Sequence, residues 1–253
     1  MHPSFDLLNR TFDRIFVVTL PRALERQARV TSRLTGLDYR FFHGFDRQQL
    51  DLDRLAREGV YAPERARRVD RHGRALGAGQ VGCSLSHRKL YEQAIENGWS
   101  RVLVLEDDVV ARDDDLPQLT AALSQLPEAW DVLYLGYTNF ETVTRRDRVK
   151  QASYVVLSAL RLMKWRPREI LRFHPRPFSP NLRCAGLHHC THAYAFTLAG
   201  AKKLLAAQTP VAFPADQLLV HLVLRGEIRA FVTEPKFFDQ EAPPGGVGSF
   251  VAA

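Results

Sequence analysis

The chain has 253 residues, 45% of them hydrophobic, which is enough to bury a substantial core and excludes an intrinsically disordered polypeptide. Its formal charge of +7 favours anionic partners, whether nucleotide sugar, phospholipid headgroup, acidic glycan or nucleic acid, without choosing among them. No run approaches the roughly 20 apolar residues that span a bilayer, the opening MHPSFDLLNR lacks a signal layout, and Cys83, Cys184 and Cys190 make no disulfide framework. A cytoplasmic protein without a redox role is expected.

In chain order, residues 15–20 read as a strand ended by Pro21, and Leu24, Ala28 and Leu34 follow at helical spacing. Residues 37–42 make a second short strand, whereas the arginine-rich stretch 46–74 holds no convincing one. A helix opens at Gly79 to Gly82 and runs to Asn97, where Gly98 stops it as glycine does just past a helix end. Val102, Leu103, Val104 and Leu105 form an apolar run resembling a buried parallel strand, and it ends abruptly in Glu106, Asp107 and Asp108. Residues 113–115 are expected to cap a helix reaching about Leu126, and residues 130–135 form the next strand.

From Tyr137 to Cys190 the alternation breaks into a basic, proline-containing insertion. It resumes as strand 194–198 and helix 200–207, then helix 217–224, strand 228–233 and a flexible tail headed by Gly245 and Gly246. Repeated βα units predict an α/β fold: one domain over 1–253, Rossmann-like, with a mostly parallel sheet covered by helices on both faces. The insertion is placed at about 140–185 and the tail from about 241.

The acidic strand end marks the expected chemistry. Carboxylates there face the crevice in which open α/β sheets bind ligands, and adjacent anions repel unless a cation or hydrogen-bond donors hold them. Mg²⁺ or Mn²⁺ suits such oxygens and also carries substrate phosphates. The competing reading has the acids flanking a helix start in solvent.

Gly77, Gly79 and Gly82 match G-x-G-x-x-G and raise a rival, an NAD-dependent oxidoreductase. That motif needs a buried strand before it, and the basic residues 65–74 cannot supply one. Gly82 then either contacts phosphate or permits close packing. His192 is a metal-ligand candidate beside its structural reading. Cys184, His188, His189, Cys190 and His192 have the composition of a zinc site without paired C-x-x-C spacing. Cys83 reads as a small buried residue.

Six segments, in order, resemble glycosyltransferase family 25, the group of lipopolysaccharide-type and collagen galactosyltransferases. They are residues 15–22 with Glu25 and Arg26; the Gly-Cys-x-x-Ser-His element at Gly82, Cys83, Ser86 and His87; the Leu-Glu-Asp-Asp end at Leu105 to Asp108; strand 130–136; His192-Ala193-Tyr194 with helix 200–205; and Pro214-Ala215-Asp216. Together they span about residues 15 to 240. Two departures bear on donor contacts: Thr19 stands where the family usually has Asn, and its Asp-Gly after the second strand is displaced as His43-Gly44-Phe45-Asp46.

The resemblance implies a GT-A type nucleotide-binding domain, a UDP-sugar donor, Mn²⁺ (or Mg²⁺) dependence and inverting transfer of a hexose, often galactose, to a glycan or lipid-linked acceptor. It implies metal ligation by Asp108 and Glu106, with His192 a further candidate. Donor contacts fall to Thr19, Leu20, Arg22, Arg26, Gly82, Ser86, His87 and Asp107, the arginines offering directed donors to phosphate. Inverting transfer needs a base for the acceptor hydroxyl. Asp216 is first choice, against its reading as a helix cap, with Asp131 and His87 behind it.

Residues 161–183 mix arginines with Trp165, Phe173 and Phe178. Such a segment suits an acidic acceptor, peripheral contact with an anionic membrane face, or plain solvation; the mixture also suits single-stranded nucleic acid, though a nucleic-acid partner is not expected. An inactive GT-A-like module that binds anionic polymer or membrane is the alternative function. The oligomeric state stays open.

Overall fold

The computed structural model describes residues 3–241, so the predicted glycine-led tail lies outside the described residues. Helix α1 (Pro3–Thr11) precedes β1 (Arg14–Thr19), α2 (Leu24–Arg33) and β2 (Arg40–His43). The arginine-rich stretch becomes a 3₁₀ turn (Arg47–Gln49) and two short helices, α3 (Leu52–Arg57) and α4 (Pro63–Val69). The long α5 (Ala78–Asn97) leads into β3 (Arg101–Glu106), β4 (Val109–Ala111), a 3₁₀ turn (Leu116–Gln118), α6 (Leu119–Ser124) and β5 (Val132–Thr138). The insertion folds as α7 (Arg145–Ala159), α8 (Pro167–Ile170) and a hairpin, β6 (Arg176–Ser179) with β7 (Leu182–Cys184). β8 (His189–Thr197), α9 (Leu198–Ala207), α10 (Ala215–Arg225), β9 (Ala230–Thr233) and β10 (Phe238–Gln240) complete the described chain.

Eight strands form one sheet in the order β2-β1-β3-β8-β5-β9-β7-β6, and β4 pairs with β10 in a small second sheet. β1 runs parallel to β2 and β3, and β5 parallel to β9. The remaining four pairs are antiparallel, β8 lying between β3 and β5 against both. The sheet is therefore mixed, which corrects the expectation of a mostly parallel one. A crossover helix carries the chain back to the starting end of a sheet, but the excursion after β5 leaves and re-enters at one end, since Thr138 pairs with His189. The strand that follows has to run backwards. Hydrophobic periodicity carries no direction, so the sequence pattern could not reveal this.

Both faces of the sheet are covered. On one, Ile15, Val17, Leu103 and Leu105 pack with Leu8 of α1, Val30 of α2 and Leu119 of α6; on the other, Phe16, Val102, Val104, Tyr194 and Phe196 pack with Leu90 of α5, Leu204 of α9 and Leu219 of α10. Strands buried on both sides read as unbroken apolar runs, and each such side chain contributes roughly 1.5–3 kcal/mol. Gly98 ends α5 with φ +67°, a left-handed conformation that costs glycine nothing, and turns the chain into β3. Asp115 heads the 3₁₀ turn, but its carboxylate takes the Arg112 guanidinium at 2.6 Å and no backbone amide, so the predicted acidic cap is instead a surface ion pair. Among the described residues no helix is long and apolar enough to cross a membrane.

Candidate active site

β1 and β3 are parallel neighbours, so Thr19 and Glu106 finish at the same edge of the sheet. Beyond that edge lies a cleft walled by Thr19, Leu20, Arg26, Arg47 and Glu106 to Asp108 on one side and by Gly79, Cys83, Ser86 and His87 of α5 on the other. The first turns of α5 are pinned to the segment after β2. Ser86 Oγ donates to the Gly82 carbonyl at 2.7 Å and accepts from the Phe45 amide at 2.9 Å. A side chain at Gly82 would put its Cβ 2.6 Å from the Phe45 carbonyl, which accounts for glycine there by close packing. The same segment brings Asp46 back to Arg22, whose Nε donates to it at 2.5 Å. Asp46 thereby sits below the usual carboxylate range and also accepts from the Gln48 amide. Arg22 spends this contact on protein.

The three consecutive acids have different surroundings. Asp107 is buried and fully engaged, accepting from Thr19 Oγ1 at 2.6 Å and Arg26 Nη1 at 2.7 Å. Asp108 accepts from Gln240 Nε2 at 2.9 Å through Oδ2, while its buried Oδ1 has no hydrogen-bond partner among the described residues. Burial holds the Asp108 carboxyl above its usual range, against the Gln240 bond and Arg26. Glu106 accepts from Thr191 Oγ1 at 2.5 Å. Burial pushes it up to about 8, and the charges of Asp108, Asp107 and Asp216 add to that. Two carboxylates whose ionisation burial opposes, side by side in a cleft, are electrostatically suited to a cation.

Asp216 belongs to the same electrostatic neighbourhood, as its effect on Glu106 shows. Pro214 is the N-cap of α10, so the capping role is not realised; Asp216 lies in the first turn and accepts from the Gln217 amide at 2.8 Å. Burial would raise its pKa, but His189 and the amides of Cys190 and Gln217 more than offset this and hold it below the usual carboxylate range. His87 is buried, with Nδ1 2.8 Å from the Tyr194 hydroxyl and Nε2 without a partner among the described residues, and burial drives it down to about 4. It is therefore neutral at neutral pH. Burial also raises the Cys83 thiol, in keeping with a packed rather than reactive cysteine.

Other candidates lie elsewhere. Asp131 precedes β5 at the opposite edge of the sheet, tied to Lys203 Nζ and the Arg229 amide at 2.7 Å each, and cannot serve the cleft. His192 turns towards β5 and β10: a Cβ on Gly136 would meet its Nε2 at 2.4 Å and the Phe238 carbonyl at 2.7 Å. Its charged neighbours there are Asp239, Lys236 and Glu141, and burial lowers it to about 4. The zinc composition disperses in the same way. His188 faces the Asn139 carbonyl, His189 the Gln217 amide and Cys190 the Thr138 hydroxyl, and among the described residues no group of three or more His, Cys, Asp or Glu stands together for a metal.

Sequence reasoning missed Thr191, Gln240 and Arg47, and gave His189 only a zinc-site reading. The first two complete the acids' hydrogen bonds, yet no motif marks them. Only the β3–β8 register, Leu105 opposite Ala193, brings Thr191 to Glu106.

A small oxygen-seeking cation fits the donors present. The orphaned Asp108 Oδ1 and the Glu106 carboxylate are hard ligands, and Mn²⁺ or Mg²⁺ commonly takes one or two carboxylates and completes its shell with water and phosphate oxygens.

A profile described as glycosyltransferase family 25 (LPS biosynthesis protein) matches residues 12–219. Probable inactive glycosyltransferase 25 family member 3 of Rattus norvegicus is 30% identical over 243 residues, which cover 88% of this chain and 37% of that protein. The inactive member 3 of Homo sapiens is 30% identical over 215 residues, covering 82% and 31%. A glycosyltransferase 25 family member of Drosophila melanogaster is 28% identical over 214 residues, covering 83% and 29%. The chain thus spans about a third of the length of these relatives. Among solved structures, A197 from STIV aligns over 93% of this chain and 96% of its own at 10% identity, with a TM-score of 0.35, too low to bear on fold or function.

Proposed function

The chain belongs to glycosyltransferase family 25, and from that premise we propose that it is an active, GT-A type transferase moving a hexose from a UDP-sugar to a glycan acceptor in the cleft beyond β1 and β3. The observation that carries this reading is the pairing of Asp108, with its orphaned buried oxygen, and Glu106, raised to about 8 by burial. Both are built to accept positive charge. Asp108 and Glu106 are the residues that would hold Mn²⁺ or Mg²⁺. What the ion supplies is charge opposite the diphosphate that departs as the glycosidic bond breaks.

Arg26 already faces Asp107 and Asp108, and Arg47 lines the same cleft, so cationic side chains flank the position expected for the diphosphate. Asp216 is ionised and within electrostatic reach of Glu106, which suits it to receive the proton of the acceptor hydroxyl as an inverting mechanism requires. His87 stays neutral and lines the cleft, and its Nε2, without a partner among the described residues, would be free to orient a polar group of donor or acceptor.

A second reading, a family fold without transferase activity, draws on Asp107: Thr19 and Arg26 satisfy it, as befits a structural acid, and two relatives bear names containing "inactive". Incubation of the protein with UDP-galactose or UDP-glucose and Mn²⁺ distinguishes the two. Slow release of UDP that EDTA abolishes is expected; none with any UDP-hexose, despite measurable nucleotide binding, would establish the second.

A further inference from the structure

The chain's whole charge excess sits on its insertion. Residues 145–168 contain eight Lys and Arg against one acid, a net +7 equal to that of the entire sequence, so the remainder is electrically balanced. The same segment exposes large apolar side chains. Val149 is 70% exposed, Val156 59% and Leu160 63%, and Leu162, just beyond, is 70% exposed.

The first three follow one another by seven and four positions and so line one face of α7. Arg145 and Arg148 border that stripe on one side, Arg146 and Lys150 on the other, all exposed. The opposite face of the helix is already used: Tyr154 and Val155 pack against Ile170, Phe173, Val220 and Leu224. The outward stripe is therefore surplus to folding. An apolar stripe edged on both sides by long cationic side chains is what an interfacial helix presents to lipid, its cations reaching the headgroups while the stripe enters the acyl boundary.

We propose that the outer face of α7, with Leu162, is a docking surface for an anionic phospholipid bilayer. Charge complementarity selects this occupant, since phosphate-rich headgroups match a face edged by Arg145, Arg146, Arg148 and Lys150, within the segment that carries the protein's charge excess. Its position is consistent with use. α7 follows Thr138 at the end of β5, and β3 and β5 run in the same direction on either side of β8, so the surface stands at the edge of the sheet that carries the cleft. Docking there holds the cleft at the membrane, where an acceptor attached to lipid would be presented.

Sedimentation with vesicles tests this. Phosphatidylcholine vesicles containing phosphatidylglycerol should bind the protein at least about tenfold more tightly than phosphatidylcholine alone, and added salt should weaken binding. Two variants separate the contributions: Val156→Glu with Leu160→Glu removes the stripe, and Arg145→Gln with Arg148→Gln and Lys150→Gln removes the border. Each should lose at least about tenfold in vesicle binding. All five side chains are exposed, so both variants should retain the parent's circular dichroism and melting. Equal binding to neutral and anionic vesicles, no binding to either, or an unchanged affinity of the stripe variant would overturn the proposal. So would a dimer in solution that the stripe variant dissociates, because the face would then belong to a second copy.

Discussion

Nδ1 of His189 lies 3.6 Å from Oδ2 of Asp216 and 2.8 Å from the side-chain amide of Gln217, which ties the first residue of β8 to the first turn of α10. The contact helps to hold the Asp216 carboxyl below the usual carboxylate range, against the burial that would raise it.

Without His189 the burial of Asp216 is opposed only by the amides of Cys190 and Gln217. His189→Ala should move the acidic limb of the pH–rate profile to higher pH and lower the plateau only modestly. Asp216→Asn should lower kcat by about 10²–10⁴, the range for loss of a general base. Initial rates of UDP release across pH measure both; an acidic limb that stays in place in the histidine variant contradicts the coupling.

Asp108→Asn removes an anionic oxygen from the proposed cation site. Activity should fall by at least about 100-fold, as for the loss of a major electrostatic stabiliser, while thermal stability stays level or rises because a buried carboxyl whose ionisation burial opposes has gone. Enzyme assay and calorimetry on one preparation suffice. Full turnover by a folded variant would remove Asp108 from the site.

Glu106 holds its proton more tightly folded than unfolded, pushed up to about 8 from an ordinary 4.5. Its stabilising contribution is therefore fully present below the unfolded value and is lost as pH rises through the folded one. The metal-free protein should weaken by a few kcal/mol across that window, and Glu106→Gln should flatten the slope. Added Mn²⁺ should stabilise most at the alkaline end, where the ligand is deprotonated. Melting midpoints recorded between about pH 5 and pH 9 provide the check; parallel profiles for parent and variant would refute it.

Gly136→Ala would set a methyl 2.4 Å from His192 Nε2 and 2.7 Å from the Phe238 carbonyl. Overpacking of this kind costs about 1–3 kcal/mol. His192→Ala should relieve only part of that cost in the double variant, since the carbonyl is backbone. Denaturant midpoints of the four proteins in this cycle decide it; full rescue would mean that the carbonyl can move aside.

The acidic strand end was legible because Val102 to Leu105 are buried on both faces and the apolar run stops where the sheet meets solvent. α5 was legible for a similar reason: Gly98 must be left-handed, and its place in the sequence fixes where the helix turns into β3. What escaped is contact made across the sheet. Thr191 meets Glu106, and Gln240 meets Asp108, over separations of 85 and 132 residues that no local pattern encodes. The hairpin of β6 and β7 escaped too, because Pro177 and an exposed edge gave it no apolar alternation.

The pairing of Thr138 with His189 also bears on how the scaffold can diversify. Because the intervening chain departs and returns through a single doorway, it can be shortened, lengthened or exchanged without breaking the β5–β8 pairing, provided its replacement covers Val220 and Leu224 of α10. Tethering and acceptor preference are thus free to drift in such a cassette, while the acids at the tip of β3 stay under separate constraint.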